Sequence, residues 1–102
     1  MIVQVTYNNN FGGTPHAAAE VNAPTNDINE ALEYAFRWTQ NISGSWSNKI
    51  GEDANDNVSV LHYYNSGMGL RSSMVGDTFT VWLDDKNFKK FECMPVGFKE
   101  IK

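Results

Sequence analysis

The residues of this 102-residue chain that come closest to a catalytic pattern are two neighbouring serines, Ser72 and Ser73. A hydrolase would use one of them as nucleophile, His62 or His16 as base, and an aspartate such as Asp77 to orient the imidazole. The local sequence, Leu70-Arg71-Ser72-Ser73-Met74-Val75-Gly76-Asp77, does not provide the Gly-x-Ser-x-Gly elbow that exposes a nucleophile on a strand-to-helix turn. Composition alone supplies such triplets in many chains, so no catalytic residue is assigned, and a small enzyme of unknown class stays an alternative. The two histidines stand far apart and no paired cysteines exist, so no metal site is assigned either. Glu52, Asp53 and Asp56 lack the alternating spacing of a calcium loop and read as a solvated acidic loop. Gly12 and Gly13 lack the spacing of a dinucleotide fingerprint, and no phosphate-loop lysine follows them. No cofactor is implied.

Binding chemistry has more candidates. Arg71, Ser72 and Asp77 could form an anion or partner contact beside a turn. The reading preferred on turn chemistry makes them turn-formers, with Arg71 paired to a carboxylate and Ser72 and Asp77 bonding the backbone. Thr39, Gln40 and Asn41 fall at the end of a helical pattern, where Asn41 reads as a C-cap or as a recognition group. Trp38 and Trp46 could form an aromatic binding rim or the lid of a small core. The candidate binding set is therefore Trp38, Gln40, Asn41, Trp46, Arg71, Ser72 and Asp77.

The elements that must position these residues follow from periodicity. Thr78 to Leu83 places Phe79, Val81 and Leu83 on one face, and Phe88 to Met94 places Phe91 and Cys93 on one face with Lys89. Period-two alternation predicts strands, and Asp84-Asp85-Lys86-Asn87 between them predicts an antiparallel hairpin. Pro95 ends the second strand, and Gly97 allows a bend before Phe98 and Ile101 fold back as anchors. Met1 to Tyr7 reads as a strand with Val3, Val5 and Tyr7 together, followed by an Asn- and Gly-rich hairpin loop and a returning strand over His16 to Asn22. Ile28, Ala31, Leu32, Ala35, Phe36 and Thr39 mark one face of a helix over about 27–40. Asp27 and Glu30 resemble a capping box at its start. Residues 41–57 read as a long polar loop anchored by Trp46 and Ile50. Val58 to Tyr64 carries large groups on both faces and reads as a strand covered on both sides. The expected fold is α+β: a single domain over 1–102, one amphipathic helix packed on a mostly antiparallel sheet of about five short strands.

Composition narrows the function. Hydrophobic residues at 41% and aromatic residues at 13% favour a folded domain over a disordered tail. The formal charge of −4 argues against a broad phosphate-binding surface and so against nucleic acid as the partner. No apolar run spans a bilayer, the first ten residues lack a signal-peptide pattern, and a lone Cys93 suits a reducing compartment. Cytoplasmic localisation, without membrane attachment, is the expectation.

Ala35 to Ser47 (AFRWTQNISGSWS) and Leu70 to Asp77 (LRSSMVGD) resemble a family of small phage and mobile-element proteins. Its pattern is a helix ending in a Thr-Gln-Asn type motif, a nearby Trp, an Arg-Ser-x-Ser-Val-Gly-Asp signature, and a hairpin closing on Gly-Phe and an acidic residue. Gly97-Phe98-Lys99-Glu100 matches the last feature, and a YodL-like domain ends similarly. The chain departs at Met74, where the family usually has serine. The resemblance implies a phage-like origin and the fold, and it carries no reaction with it. The leading expectation is a non-enzymatic accessory protein that binds a host or viral protein, with a host cytoplasm as its setting if phage-encoded. A single-stranded nucleic-acid-binding module is the alternative, stacking bases on Tyr63, Trp82 or Phe88 with Lys89, Lys90 and Arg71 nearby. Self-association through a free sheet edge is a further possibility.

Overall fold

In a computed structural model, which describes residues 1–8, 15–61 and 69–101, the chain forms one six-stranded antiparallel sheet with one α-helix. The strands are β1 (Ile2–Tyr7), β2 (His16–Asn22), β3 (Val58–Val60), β4 (Thr78–Trp82), β5 (Phe88–Cys93) and β6 (Phe98–Ile101). Helix α1 (Ile28–Arg37) lies between β2 and β3 in the chain. The sheet order is β3-β2-β1-β4-β5-β6. Two sequence-adjacent hairpins, β1–β2 and β4–β5, therefore meet along the β1–β4 seam at the middle.

Alternation decides which face is buried. Val3 stands between Val21 and Val81, and Val5 between Ala19 and Phe79, so six apolar strand residues and Tyr7 make one continuous floor. Helix α1 lies on that floor through Ala31, Leu32 and Ala35, all fully or almost fully buried. Burying Leu32 contributes roughly 1.5–3 kcal/mol. Phe36 is half-buried and meets Phe98 edge-to-face at 6.3 Å, and Phe98 in turn meets Phe79 at 5.0 Å. Asp27 caps the helix as expected, accepting the Glu30 N–H at 2.9 Å. The Glu30 carboxylate bonds the Thr25 hydroxyl instead of reaching back to the Asp27 N–H.

Several expectations are corrected. The helix stops at Arg37 with Trp38 as its C-cap, so Asn41 lies beyond the cap. Thr39 is still buried because its hydroxyl donates to the Ala35 carbonyl at 2.8 Å. Val58 to Tyr64 was expected to be covered on both sides, but β3 is an edge strand with Ser59 exposed; residues 62–64 lie outside the described residues. Ile50 is exposed and anchors nothing apolar, and Leu83, past the end of β4, is exposed as well. The closing segment is a sixth strand rather than a loose anchor. Gly97, at φ +71°, turns the chain so that the Met94 N–H donates to its carbonyl at 3.0 Å, and Ile101 ends up exposed. The expected loop after Tyr7 falls mostly on residues 9–14, outside the described residues, and a glycine-bearing turn expected over residues 65–69 falls outside them except for Gly69.

Candidate functional site

Arg71 and Asp77 sit at the two ends of the turn before β4, and their side chains close on each other. The Arg71 guanidinium donates to both Asp77 oxygens, at 2.8 and 2.9 Å, and lies over the Tyr7 ring at 3.9 Å from its centroid. The Asp77 carboxylate is fully buried and also accepts the backbone N–H groups of Met74 (2.8 Å) and Asn8 (3.1 Å). Four donors thus converge on one buried anion, which is how a charge becomes tolerable in an interior. The Arg71 carbonyl accepts the Tyr7 hydroxyl at 2.6 Å and the Trp46 indole N–H at 2.9 Å. Trp46 is almost wholly buried and meets Tyr7 edge-on at 6.5 Å. The Trp46 reading as a binding rim is therefore corrected: it is the lid of the core.

Residues just past the helix complete the same knot. Gln40 donates its amide to the Ser73 carbonyl and hydroxyl, at 2.9 and 2.7 Å, and the Thr39 and Ser73 hydroxyls bond each other at 2.7 Å. The Asn41 N–H donates to the Ser72 hydroxyl at 2.8 Å. Its side chain donates to the Leu70 carbonyl and accepts the Trp46 N–H. The two stretches on which the family resemblance rests are thus bonded to each other, residue against residue. Six of the seven candidate binding residues, Gln40, Asn41, Trp46, Arg71, Ser72 and Asp77, meet here, and each is engaged in holding the chain. Trp38 does not join them. It is half-buried on the outer side of the helix, under the Arg37 guanidinium (4.2 Å) and beside Tyr34 (6.1 Å).

For catalysis the knot offers little. Asp77 faces Arg71 rather than an imidazole, and neither Ser72 nor Ser73 bonds a histidine among the described residues; His62 lies outside them.

Sequence reasoning missed Asp53, expected in a solvated acidic loop. It is buried, and one carboxylate oxygen accepts the N–H groups of Ile42, Ser43 and Gly44 at 2.8, 2.9 and 2.7 Å. Its other oxygen takes the Arg37 guanidinium at 3.3 Å. Burial pushes its pKa upward, but the three backbone donors and the Arg37 charge outweigh this and hold its pKa below the ordinary carboxylate value. Gly44 is required at the tip because a Cβ there would overlap the Ile50 carbonyl. Lys49 closes the loop further, donating to the Asn55 and Val58 carbonyls at 2.6 and 2.8 Å. The long polar loop over residues 41–57 is therefore a stapled one.

Two surfaces remain outside this scaffolding. At one end of the sheet, the Gly76 N–H donates to the Cys93 carbonyl at 2.8 Å, so the Met74–Val75 turn and the Pro95–Val96 turn leave the sheet side by side. Met74 and Val75 are 44% and 45% exposed, and Val96 is 92% exposed. On the sheet face opposite the helix, Gln4, Thr6, Thr78, Thr80, Trp82, Phe88 and Lys90, with Asn8, line a concavity of about 440 Å³. Of the residues named for base stacking, Trp82 and Phe88 meet at 4.9 Å with Lys90 over Phe88. Arg71 is committed to Asp77, Lys89 projects from the opposite face of β5, and Tyr63 lies outside the described residues. Cys93, on the helix side, is buried; that burial, with the nearby Asp77, Glu33 and Glu92 charges, pushes its thiol pKa upward, away from nucleophilic chemistry.

Fold and site together define a two-layer α+β domain whose polar cluster is architectural. No family model, curated protein or solved structure matches the chain. No helix among the described residues is long and apolar enough to cross a membrane, and no group of three or more metal-ligating side chains occurs among them.

Proposed function

We propose that this protein is a non-enzymatic binding module that docks a protein partner through the apolar turns at the end of the sheet. The observation that carries the reading is the exposure of three apolar side chains on two turns joined by the Gly76–Cys93 backbone bond: Val96, almost wholly exposed, and Met74 and Val75. Exposed apolar groups clustered at one place favour association, because burying them against a partner removes them from water. The Asp77 knot supports the same reading from beneath: its carboxylate holds the Met74 N–H, and the Gly76 N–H donates to the Cys93 carbonyl, so both turns are presented in fixed positions before any partner arrives. Preorganised surfaces bind at lower entropic cost. The resemblance to small phage and mobile-element proteins points to a host or viral protein as the partner, met in the cytoplasm.

A photo-crosslinking amino acid placed at position 96, and separately at the exposed Lys86 of the β4–β5 loop, tests this in extract from the native host. A discrete adduct from position 96 that is absent from position 86 and lost on Met74→Asp supports the reading. Identical adduct patterns from the two positions, or none from position 96, defeat it.

A further inference from the structure

Independently of that docking surface, we propose that the open face of the sheet is a binding site for a neutral sugar ring, whether free or at the end of a glycan. The floor of the concavity runs straight across three strands, since Gln4, Thr80 and Lys90 are register neighbours on β1, β4 and β5. One row along, Trp82 pairs with Phe88 to form an aromatic wall. One row the other way, Thr6 pairs with Thr78. Asn8 is held at that end by its own bonds to Gly76 and Thr78. The side chains of Gln4, Thr6 and Thr80 have no hydrogen-bond partner among the described residues, so an amide and two hydroxyls are left for a ligand.

Ligand chemistry follows from what these groups require. An apolar side chain placed here would strand the Gln4, Thr6 and Thr80 groups away from water without partners, which is unfavourable. A single nucleic-acid strand needs several cations along its phosphates. The lining supplies Lys90 alone, the flanking register partners Glu20 (beside Gln4) and Glu92 (beside Thr78) are acidic, and the chain carries −4 overall. Trp82 and Phe88 are tilted 54° to each other, so they do not clamp a flat base from two sides. A sugar ring satisfies all of these conditions. Its C–H face lies on one aromatic ring, and its hydroxyls, each both donor and acceptor, meet an amide, two hydroxyls and the donor-only ammonium of Lys90. The volume of about 440 Å³ lies within the usual range of small-molecule sites.

The test is amide-resolved NMR on the full chain, titrated separately with cellobiose, maltose, lactose and chitobiose up to about 20 mM, a range set by weak, few-contact binding. Binding of at least one of these, with shifts confined to Gln4, Thr6, Thr80, Trp82, Phe88 and Lys90, is the expected result. Trp82→Ala should abolish it, and Gln4→Ala, whose side chain supports no other part of the fold, should weaken it several-fold. Lys89→Ala, on the opposite face of β5, should leave it unchanged. No shift with any of the four sugars overturns the proposal. So does a ten-nucleotide thymidine strand that shifts the same amides at lower concentration, or binding that survives both Trp82→Ala and Gln4→Ala.

Discussion

Replacing Asp77 by asparagine keeps the shape of the side chain and removes its charge. In the native protein each carboxylate oxygen takes one Arg71 N–H and one backbone N–H, from Met74 or Asn8. An asparagine retains one oxygen, so whichever way its amide is turned, an NH₂ group faces two donors. Arg71, with a side chain only 20% exposed, loses its counter-charge at the same time. Breaking a buried pair from one side typically costs about 3–5 kcal/mol. Against a stability of about 5–15 kcal/mol for a domain of this size, that is a large fraction. With a urea m-value of about 2 kcal/mol/M, the midpoint should fall by roughly 1.5–2.5 M. Because Arg71 and Asp77 act as a unit, the double variant Arg71→Met/Asp77→Asn should cost clearly less than the sum of the singles. A loss below about 1 kcal/mol for Asp77→Asn, or strict additivity in the cycle, would refute the view that this pair is the keystone of the turn.

Acid should release the loop held by Asp53 before it unfolds the sheet. Its folded-state pKa is depressed, so its contribution is complete above the ordinary carboxylate value of 3.8 and is lost as pH falls below that through the folded value. Exchange protection of the Ile42, Ser43 and Gly44 amides should therefore fall in that window, while Asp53→Asn shows low protection already at pH 7. Cys93, buried and with a raised pKa, should react with a thiol reagent only at the rate of unfolding; rapid labelling of native protein at pH 8 would contradict its placement. The free edge of β6 should not self-pair. An antiparallel two-fold register places Lys99 opposite Lys99 or Glu100 opposite Glu100, and like charges across strands are unfavourable. Sedimentation should show a monomer, and Lys99→Thr/Glu100→Val should induce concentration-dependent dimers; a dimer of the native chain that this change does not strengthen would count against the argument.

Elements governed by local pattern were readable in the sequence. Val3, Val5 and Tyr7 alternate, Ala31, Leu32 and Ala35 share a helical face, and both lie in the core as their spacing implies. The bounds of β2 also matched, because the residues on either side of it are turn-formers. What escaped depends on partners distant in sequence. Asp53 looks like any loop acid until three N–H groups from residues 42–44 turn toward it. Trp46 could be rim or lid until the Arg71 carbonyl is seen to take its indole N–H. The edge position of β3 is set by β2 being already paired to β1 on its other side, which no local pattern records. The short segment Phe98–Ile101 becomes a strand only because Gly97 folds it back on β5. Of the candidate site, the association of Arg71 with a carboxylate was legible from the turn. Its bonding to Gln40, Asn41 and Trp46 was not, because those partners stand 25 to 33 residues away in sequence.

The most direct measurement compares two variants in the same cross-linking and melting assays. Trp46→Phe, which removes the indole bond to Arg71, should lower the melting temperature while the folded protein still captures its partner from position 96. Val75→Asp, at the exposed turn, should leave the melting temperature unchanged and abolish capture. The reverse pattern, with capture lost at Trp46 in a fully stable protein and retained at Val75, would show that the polar knot is itself the recognition site.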